Sequence, residues 1–269
     1  MAETIKFPEK EVTEKKPLPD LSREIIAVIS LPRVTWTDNS FSLTGAFTRL
    51  NISTLRGCGA LWEQTLDRLI RRAGNYPVKY ILTVDYDTVF NEFHVLELYD
   101  IMEANSDIDC LIPLQTRRGN QLPMFESFKH QVGEDGETEE LEIPDEEMQS
   151  DFFEIDSGHF GLTLLRVAKL GLMKKPLLKS IPSADGDWEA GTIAADMYFW
   201  KNARTAGLKI CLAPQVYIGH IELVCTWSGP PEKGWHGIHT MPVEMATTGN
   251  CPTWGRPKSL ERYEYKGIN

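Results

Sequence analysis

Cysteine is sparse and scattered in this chain of 269 residues: Cys58, Cys110, Cys211, Cys225 and Cys251 form no Cys-x-x-Cys pair, and their odd number leaves a thiol free in a monomer. That pattern argues against a disulfide framework and points to a reducing, cytoplasmic setting. Long apolar runs are missing as well, and no stretch reaches membrane-spanning length. Residues Met1 to Asp20 alternate lysine, glutamate and proline without the apolar core of a signal peptide, so residues 1–22 read as a flexible leader. Positive charge is in deficit, with 28 Lys and Arg against 39 Asp and Glu for a net charge of −11. This disfavours a general polyanion-binding surface, although a local basic groove, such as one including Arg117 and Arg118, is compatible with it. Internal repeats are absent.

What is present fits a soluble globular protein: 42% apolar and 25% charged residues. The length accommodates one large α/β domain, expected over residues 23–240, with a tail over 241–269 packing on it. Glu24 to Ser30 is an apolar run followed by Leu31-Pro32-Arg33, the signature of a first central strand and its loop. Ala60 to Ala73 carries Leu61, Trp62, Leu66, Leu69 and Ile70 at helical spacing and ends at Gly74-Asn75. Tyr80 to Val84 is an uncharged strand; a helix from about Asn91 to Ala104 and a strand from Asp109 to Leu114 follow, which together predict a parallel βαβ unit. Residues 133–150 are strongly acidic and are expected to form a solvated loop insertion or a substrate-facing lid. Phe152 to Arg166 reads as strand with glycines that permit close backbone approach. Asp196 to Ala206 is a helix closed by Gly207, Leu208 to Leu212 the next strand, and Pro214 to His220 brings a histidine to another strand end. Trp227, Trp235 and His236 lie in an aromatic, glycine-rich segment suited to a lid.

Asp85 and Asp87 fall where the Tyr80–Val84 strand leaves the sheet, on one side if strand geometry persists. In α/β folds that edge is where ligands bind. Two carboxylates there repel, and a divalent cation resolves the repulsion; hard oxygen ligands suit magnesium or manganese, which keep positions open for substrate phosphates. Isolated Asp-x-Asp pairs also cap helices and decorate turns.

The motifs in order change that balance. The strand Ile25 to Ser30, Asp85-x-Asp87, Ile155-Asp156-Ser157-Gly158-His159-Phe160-Gly161 followed by Leu164-Leu165-Arg166, Ala195-Asp196-Met197-Tyr198-Phe199, and Val216-Tyr217-Ile218-Gly219-His220-Ile221 together resemble the nucleotide-sugar-dependent glycosyltransferases of the GT-A fold, nearest to the inverting, family-2-like type. The resemblance spans roughly Glu24 to Ile221. It implies an α/β chain with a Rossmann-like, mixed, mostly parallel central sheet flanked by helices, and a hexosyltransferase-like enzyme with Mn2+ or Mg2+ and a nucleoside-diphosphate sugar, UDP by default, as donor. Asp87 matches the ligand of the metal bridging the diphosphate, Asp85 the ribose or metal contact, and His220 the family's histidine ligand. Capping a strand end is the alternative role for His220.

In inverting members a pair of acids opens the late helix and the second deprotonates the acceptor hydroxyl. Asp196 matches that base, while Ala195 replaces the first acid. Helix capping is the other role open to Asp196, and Asp187 or Glu189 are alternative bases. Asp156, Ser157 and Gly158 match the sugar-binding wall. Ser30, Pro32, Arg33, Arg117 and Trp227 complete the expected donor contacts, Arg117 or Arg118 through a bidentate grip on phosphate. The acceptor is a hydroxyl on a glycan, protein, small molecule or modified nucleic-acid base. Competing readings are a retaining transferase of the same fold, a nucleotidyltransferase, and a sugar-nucleotide-binding module without turnover.

Overall fold

Six of the seven residues of β1 (Ile25–Leu31) are buried, the signature of a central strand covered on both faces. In the computed structural model, which describes residues 17–31, 36–117, 122–132, 140–182, 192–222, 224–228 and 238–242, the chain continues through α1 (Thr37–Leu50), β2 (Ser53–Cys58), α2 (Trp62–Ala73), β3 (Tyr80–Asp85), β4 (Thr88–Val89), α3 (Glu92–Ala104) and β5 (Cys110–Leu114). Then come β6 (Gln131–Val132), β7 (Glu140–Leu141), α4 (Asp145–Met148), β8 (Phe153–Glu154), β9 (Leu162–Arg166), α5 (Val167–Leu170), β10 (Ile181–Pro182), β11 (Thr192–Ile193), α6 (Ala195–Thr205), β12 (Ile210–Tyr217), β13 (Gly219–His220), β14 (Val224–Ser228) and β15 (Ile238–Pro242).

Seven of these strands form one sheet in the order β2-β1-β3-β9-β5-β12-β8. β1 pairs in parallel with β2 and β3, and β5 with β12, whereas β9 runs antiparallel between β3 and β5. The mixed, mostly parallel, helix-flanked sheet expected from the sequence is therefore present. The βαβ reading of β3, α3 and β5 needs correction, because the two strands run the same way but are not neighbours. Leu162–Arg166, buried up to its arginine, takes the slot between them.

Strand periodicity divides the core in two. Ile26 and Val28 face a cluster with Leu66, Leu69 and Ile70 of α2 and Phe199 and Trp200 of α6. Ile25, Ala27 and Ile29 face a second cluster with Leu43, Phe47 and Leu50 of α1 and Val95, Leu98 and Met102 of α3. Each Val, Leu, Ile, Phe or Met side chain among them that is taken out of water stabilises the fold by about 1.5–3 kcal/mol. Helix α1, which the sequence reading left unassigned, buries Leu43, Ala46, Phe47 and Leu50 at helical spacing and closes on Asn51 in the left-handed region, φ 54°. Within the expected acidic loop, β7 and the one-turn helix α4 are ordered elements, while residues 133–139 lie outside the described residues. So do residues 1–16 of the leader and 243–269 of the tail. Among the described residues no helix is long and apolar enough to cross a membrane.

Candidate functional site

Parallel pairing brings the carboxyl ends of β1 and β3 together, with Ser30 in register with Asp85. Strand geometry stops at Asp85; Tyr86 and Asp87 form a turn into β4. The aspartates are thus related by a turn and not by strand alternation. That turn is clamped from α1. The buried amide of Asn39 donates through Nδ2 to the carbonyls of Asp85 at 3.0 Å and Thr88 at 2.7 Å, the residues on either side of Tyr86-Asp87. On the other side Asn91 caps α3, accepting from the N–H of Phe93 at 3.0 Å and donating its own N–H to His94 Nδ1 at 3.0 Å.

Asp85 Oδ1 accepts a long hydrogen bond, 3.4 Å, from the indole Nε1 of Trp62. Burial pushes this carboxyl up to about 7, the charge of Asp87 adds to the rise, and the Trp62 hydrogen bond and His220 oppose it. Asp196 also raises it, so the acid of α6 lies within electrostatic reach of the Asp-x-Asp turn.

His220 arrives through β13, which pairs antiparallel with β4 and sets His220 opposite Thr88. Its Nδ1 lies 2.9 Å from the carbonyl of Thr116, and its Nε2 lies 3.3 Å from Asp87 Oδ2. A carbonyl only accepts, so Nδ1 carries a proton; in the singly protonated ring Nε2 then presents a lone pair toward the carboxylate. Two acceptors at that distance need a proton or a cation between them. Fixing one ring nitrogen on a carbonyl is also how metal-binding histidines are oriented. The strand itself is held by Gln115 Nε2 donating to the Gly219 carbonyl at 3.1 Å and by the Ile221 N–H donating to the Asp87 carbonyl at 2.8 Å. Among the described residues, no three or more His, Cys, Asp and Glu side chains converge as a metal centre. Asp87 and His220 meet, and Oδ1 of Asp85 faces the Trp62 indole.

Asp196 occupies the first turn of α6, and its Oδ1 accepts from the N–H of Met197 at 2.8 Å. Ala195 beside it is 5% exposed and belongs to the α2 and α6 core cluster. A carboxylate at position 195 would have to enter that apolar layer. Asp187 and Glu189 lie outside the described residues.

The Asp156-Ser157-Gly158 wall spends its polar atoms inside the protein. Asp156 pairs with Arg204 Nη1 at 2.6 Å and accepts from the Phe128 N–H at 2.7 Å. Ser157, 2% exposed, donates to Glu126 Oε2 at 3.0 Å. The Gly158 carbonyl accepts from the Trp200 indole at 2.6 Å. The aromatic ring of Phe160 then stacks on Trp200 at 5.2 Å and meets Trp62 edge-on at 5.8 Å, linking this segment to the residue that touches Asp85. Buried His159 accepts from the Gly161 N–H at its Nδ1, 3.0 Å, which leaves Nε2 to donate to the Pro113 carbonyl at 2.9 Å. Burial pulls His159 down to about 4, so the ring is neutral at physiological pH.

Ser30 is 4% exposed at the end of β1, and Arg117 is exposed beyond β5. Pro32, Arg33, Arg118, Trp235 and His236 lie outside the described residues, and of Trp227 only the backbone, in β14, is described. Asn39, Trp62 and Gln115 were missed by sequence reasoning. Trp62 was assigned to the apolar stripe of α2, and Asn39 sits in a helix whose apolar spacing was the signal that went unused.

No protein-family model matches the chain, and no curated protein sequence matches it significantly. Solved structures similar to it include A197 from STIV, at 14% identity and TM-score 0.49 over 74% of this chain and 85% of that one. GalNAc-T7 with UDP, GalNAc and Mn2+ aligns at 12% identity and TM-score 0.49 over 74% of this chain and 44% of that one.

Proposed function

We propose that this chain is a metal-dependent glycosyltransferase that moves a sugar from a nucleoside diphosphate, UDP by default, to a hydroxyl acceptor with inversion at the sugar. The observation that carries this reading is the Asp87–His220 pair, 3.3 Å apart at the carboxyl edge of the sheet, beside Asp85, whose carboxyl also feels the charge of Asp196. The order of motifs in the sequence supports it independently.

The donor set fits the metal. One carboxylate and one imidazole suit manganese or magnesium, ions that complete their coordination with substrate phosphate oxygens and waters. When bound, the cation supplies charge neutralisation to the departing diphosphate. The rest falls to the chain. Asp87 and His220 hold their positions through the Thr116 and Ile221 contacts. Asp85, next to Ser30, faces the ribose hydroxyls. Asp196 accepts the proton of the acceptor hydroxyl as its oxygen bonds to the anomeric carbon and the bond from that carbon to the diphosphate oxygen breaks. Ser30, Pro32, Arg33, Arg117 and Trp227 complete the donor contacts in this reading.

The test is calorimetric titration of UDP, GDP and their common sugar conjugates, with and without manganese, into the wild type and Asp87→Ala. Metal-dependent binding that the variant loses supports the reading and names the donor. Equal binding in both, or none in either, returns the aspartates to a structural role.

A further inference from the structure

Asp87 and His220 are carried by very little sheet. Asp87 immediately precedes β4 and His220 ends β13, strands of two residues each that pair as a ribbon of their own, Gly219 opposite Val89 and His220 opposite Thr88. A two-stranded ribbon is marginal by itself in water, so holding a carboxylate and an imidazole 3.3 Å apart falls to groups outside it. Two buried carboxamides reach in, one to each side. Asn39, 0% exposed in the first turn of α1, spans 46 and 49 residues to donate through Nδ2 to the carbonyls of Asp85 at 3.0 Å and Thr88 at 2.7 Å, which bracket Asp87. Gln115, buried just past β5, donates through Nε2 at 3.1 Å to the Gly219 carbonyl, the one in the peptide bond to His220. The neighbouring Thr116 carbonyl takes His220 Nδ1 at 2.9 Å, so residues 115 and 116 fix both the main chain and the ring of that histidine. Asn39 does this at a cost to itself. Its Oδ1 is buried and meets no hydrogen-bond donor among the described residues, an expense that an apolar residue at that position would avoid. The other buried residues of α1 are Leu43, Ala46, Phe47 and Leu50. What the amide supplies and they cannot is the double donation to the turn.

We infer that Asn39 and Gln115 are positioning residues that preset Asp87 and His220 for a divalent cation, Asn39 through the turn and Gln115 through the strand. The inference rests on the transferase reading, in which that pair holds the metal. Both amides act through main-chain carbonyls, and their effect is on how far the two ligands are ordered before the cation arrives. Order already present in the free protein is not lost again on binding, so it appears as metal affinity.

Calorimetric titration of UDP into the full chain at a series of Mn2+ concentrations tests it, through the Mn2+ level that gives half-maximal UDP binding. Asn39→Ala and Gln115→Ala should each raise that level by about tenfold or more, the scale on which the outer partners of metal ligands act. UDP affinity at saturating Mn2+ should stay near the wild-type value, because the bound cation has by then ordered the ligands; a merely structural role would not produce that split. Asn202→Ala is the control. That amide is also buried and holds Lys174, donating to its carbonyl at 2.8 Å and accepting from its N–H at 3.1 Å, so its loss should lower the urea midpoint as the other two do and leave the Mn2+ level unchanged. Gln115→Ala carries the test if Asn39→Ala does not fold by circular dichroism. A wild-type Mn2+ level in a folded Asn39→Ala or Gln115→Ala, or an equal rise in Asn202→Ala, overturns the inference alone. Wild-type UDP binding that ignores Mn2+, or no UDP binding, overturns the transferase reading and the inference with it.

Discussion

Gly158 offers a perturbation whose size follows from geometry. A methyl group added there would sit 2.4 Å from Cδ1 of Ile112, with Cγ2 at 3.3 Å and Cγ1 at 3.5 Å. Carbon atoms in favourable contact stand about 3.5–4.0 Å apart, so Gly158→Ala forces a shift. Neither side yields easily. Ile112 is 0% exposed in β5, and the Gly158 carbonyl is tied to the Trp200 indole at 2.6 Å. Overpacking of this kind costs about 1–3 kcal/mol. Ile112→Val removes Cδ1, the worst offender, at a cost of about 0.5–1.5 kcal/mol by itself, and leaves contacts that need only small adjustment. The double variant should therefore be more stable than the two single losses predict, with a coupling of about 1–2 kcal/mol. Urea unfolding followed by tryptophan fluorescence on the four proteins measures the cycle. A Gly158→Ala loss below about 0.5 kcal/mol, or strict additivity, refutes the packing argument. Donor titration on the same proteins separates the two roles of the position: a stable Gly158→Ala that no longer binds donor would make the glycine a ligand wall first and a packing element second.

Two pH dependences follow from the buried titratable groups. His159 is held at about 4 against an ordinary 6.5, so its contribution to stability is whole above about pH 6.5 and drains as pH falls, because the unfolded imidazole takes a proton that the buried one refuses. The loss approaches about 3 kcal/mol near pH 4. His159→Gln should flatten that part of the profile, and identical slopes for wild type and variant between about pH 7 and pH 4.5 would sink the reasoning. For Asp85 the sign reverses. Its folded value of about 7 exceeds the ordinary 3.8, so the folded state retains a proton that the unfolded chain releases, and stability falls as pH rises through that window. Asp85→Asn should accordingly raise the melting temperature in chelator at alkaline pH, by the equivalent of about 1–3 kcal/mol, give no gain below about pH 4, and abolish donor binding. An unchanged melting temperature at alkaline pH would mean that water reaches the carboxyl freely.

Local chemistry determined much of this protein before any contact was known. Uncharged, mostly apolar runs made β1, β3 and β5 legible, because a strand buried on both faces reads as a near-continuous hydrophobic run. The apolar spacing of α2 and the cap of α3 at Asn91 fixed those helices, and the placing of Asp85, Asp87 and His220 at the ends of strands followed from where apolar residues stop. Pairing between distant segments was decided only in three dimensions. Nothing in the sequence of β9 says that it enters antiparallel between β3 and β5, since a strand buried on both faces fits either direction. Nor does Asn39 announce that it will clamp a turn 46 residues later, or Trp62 that its indole will reach Asp85 while its ring lies against Phe160. Those roles depend on long-range register, which a periodicity cannot carry. The tertiary structure likewise bound both carboxylate oxygens of Asp156, buried Ala195 in an apolar layer, and brought Asp87 and His220 to 3.3 Å while leaving Asp85 with Trp62, because packing of the sheet edge, and not residue type, sets which polar atoms meet.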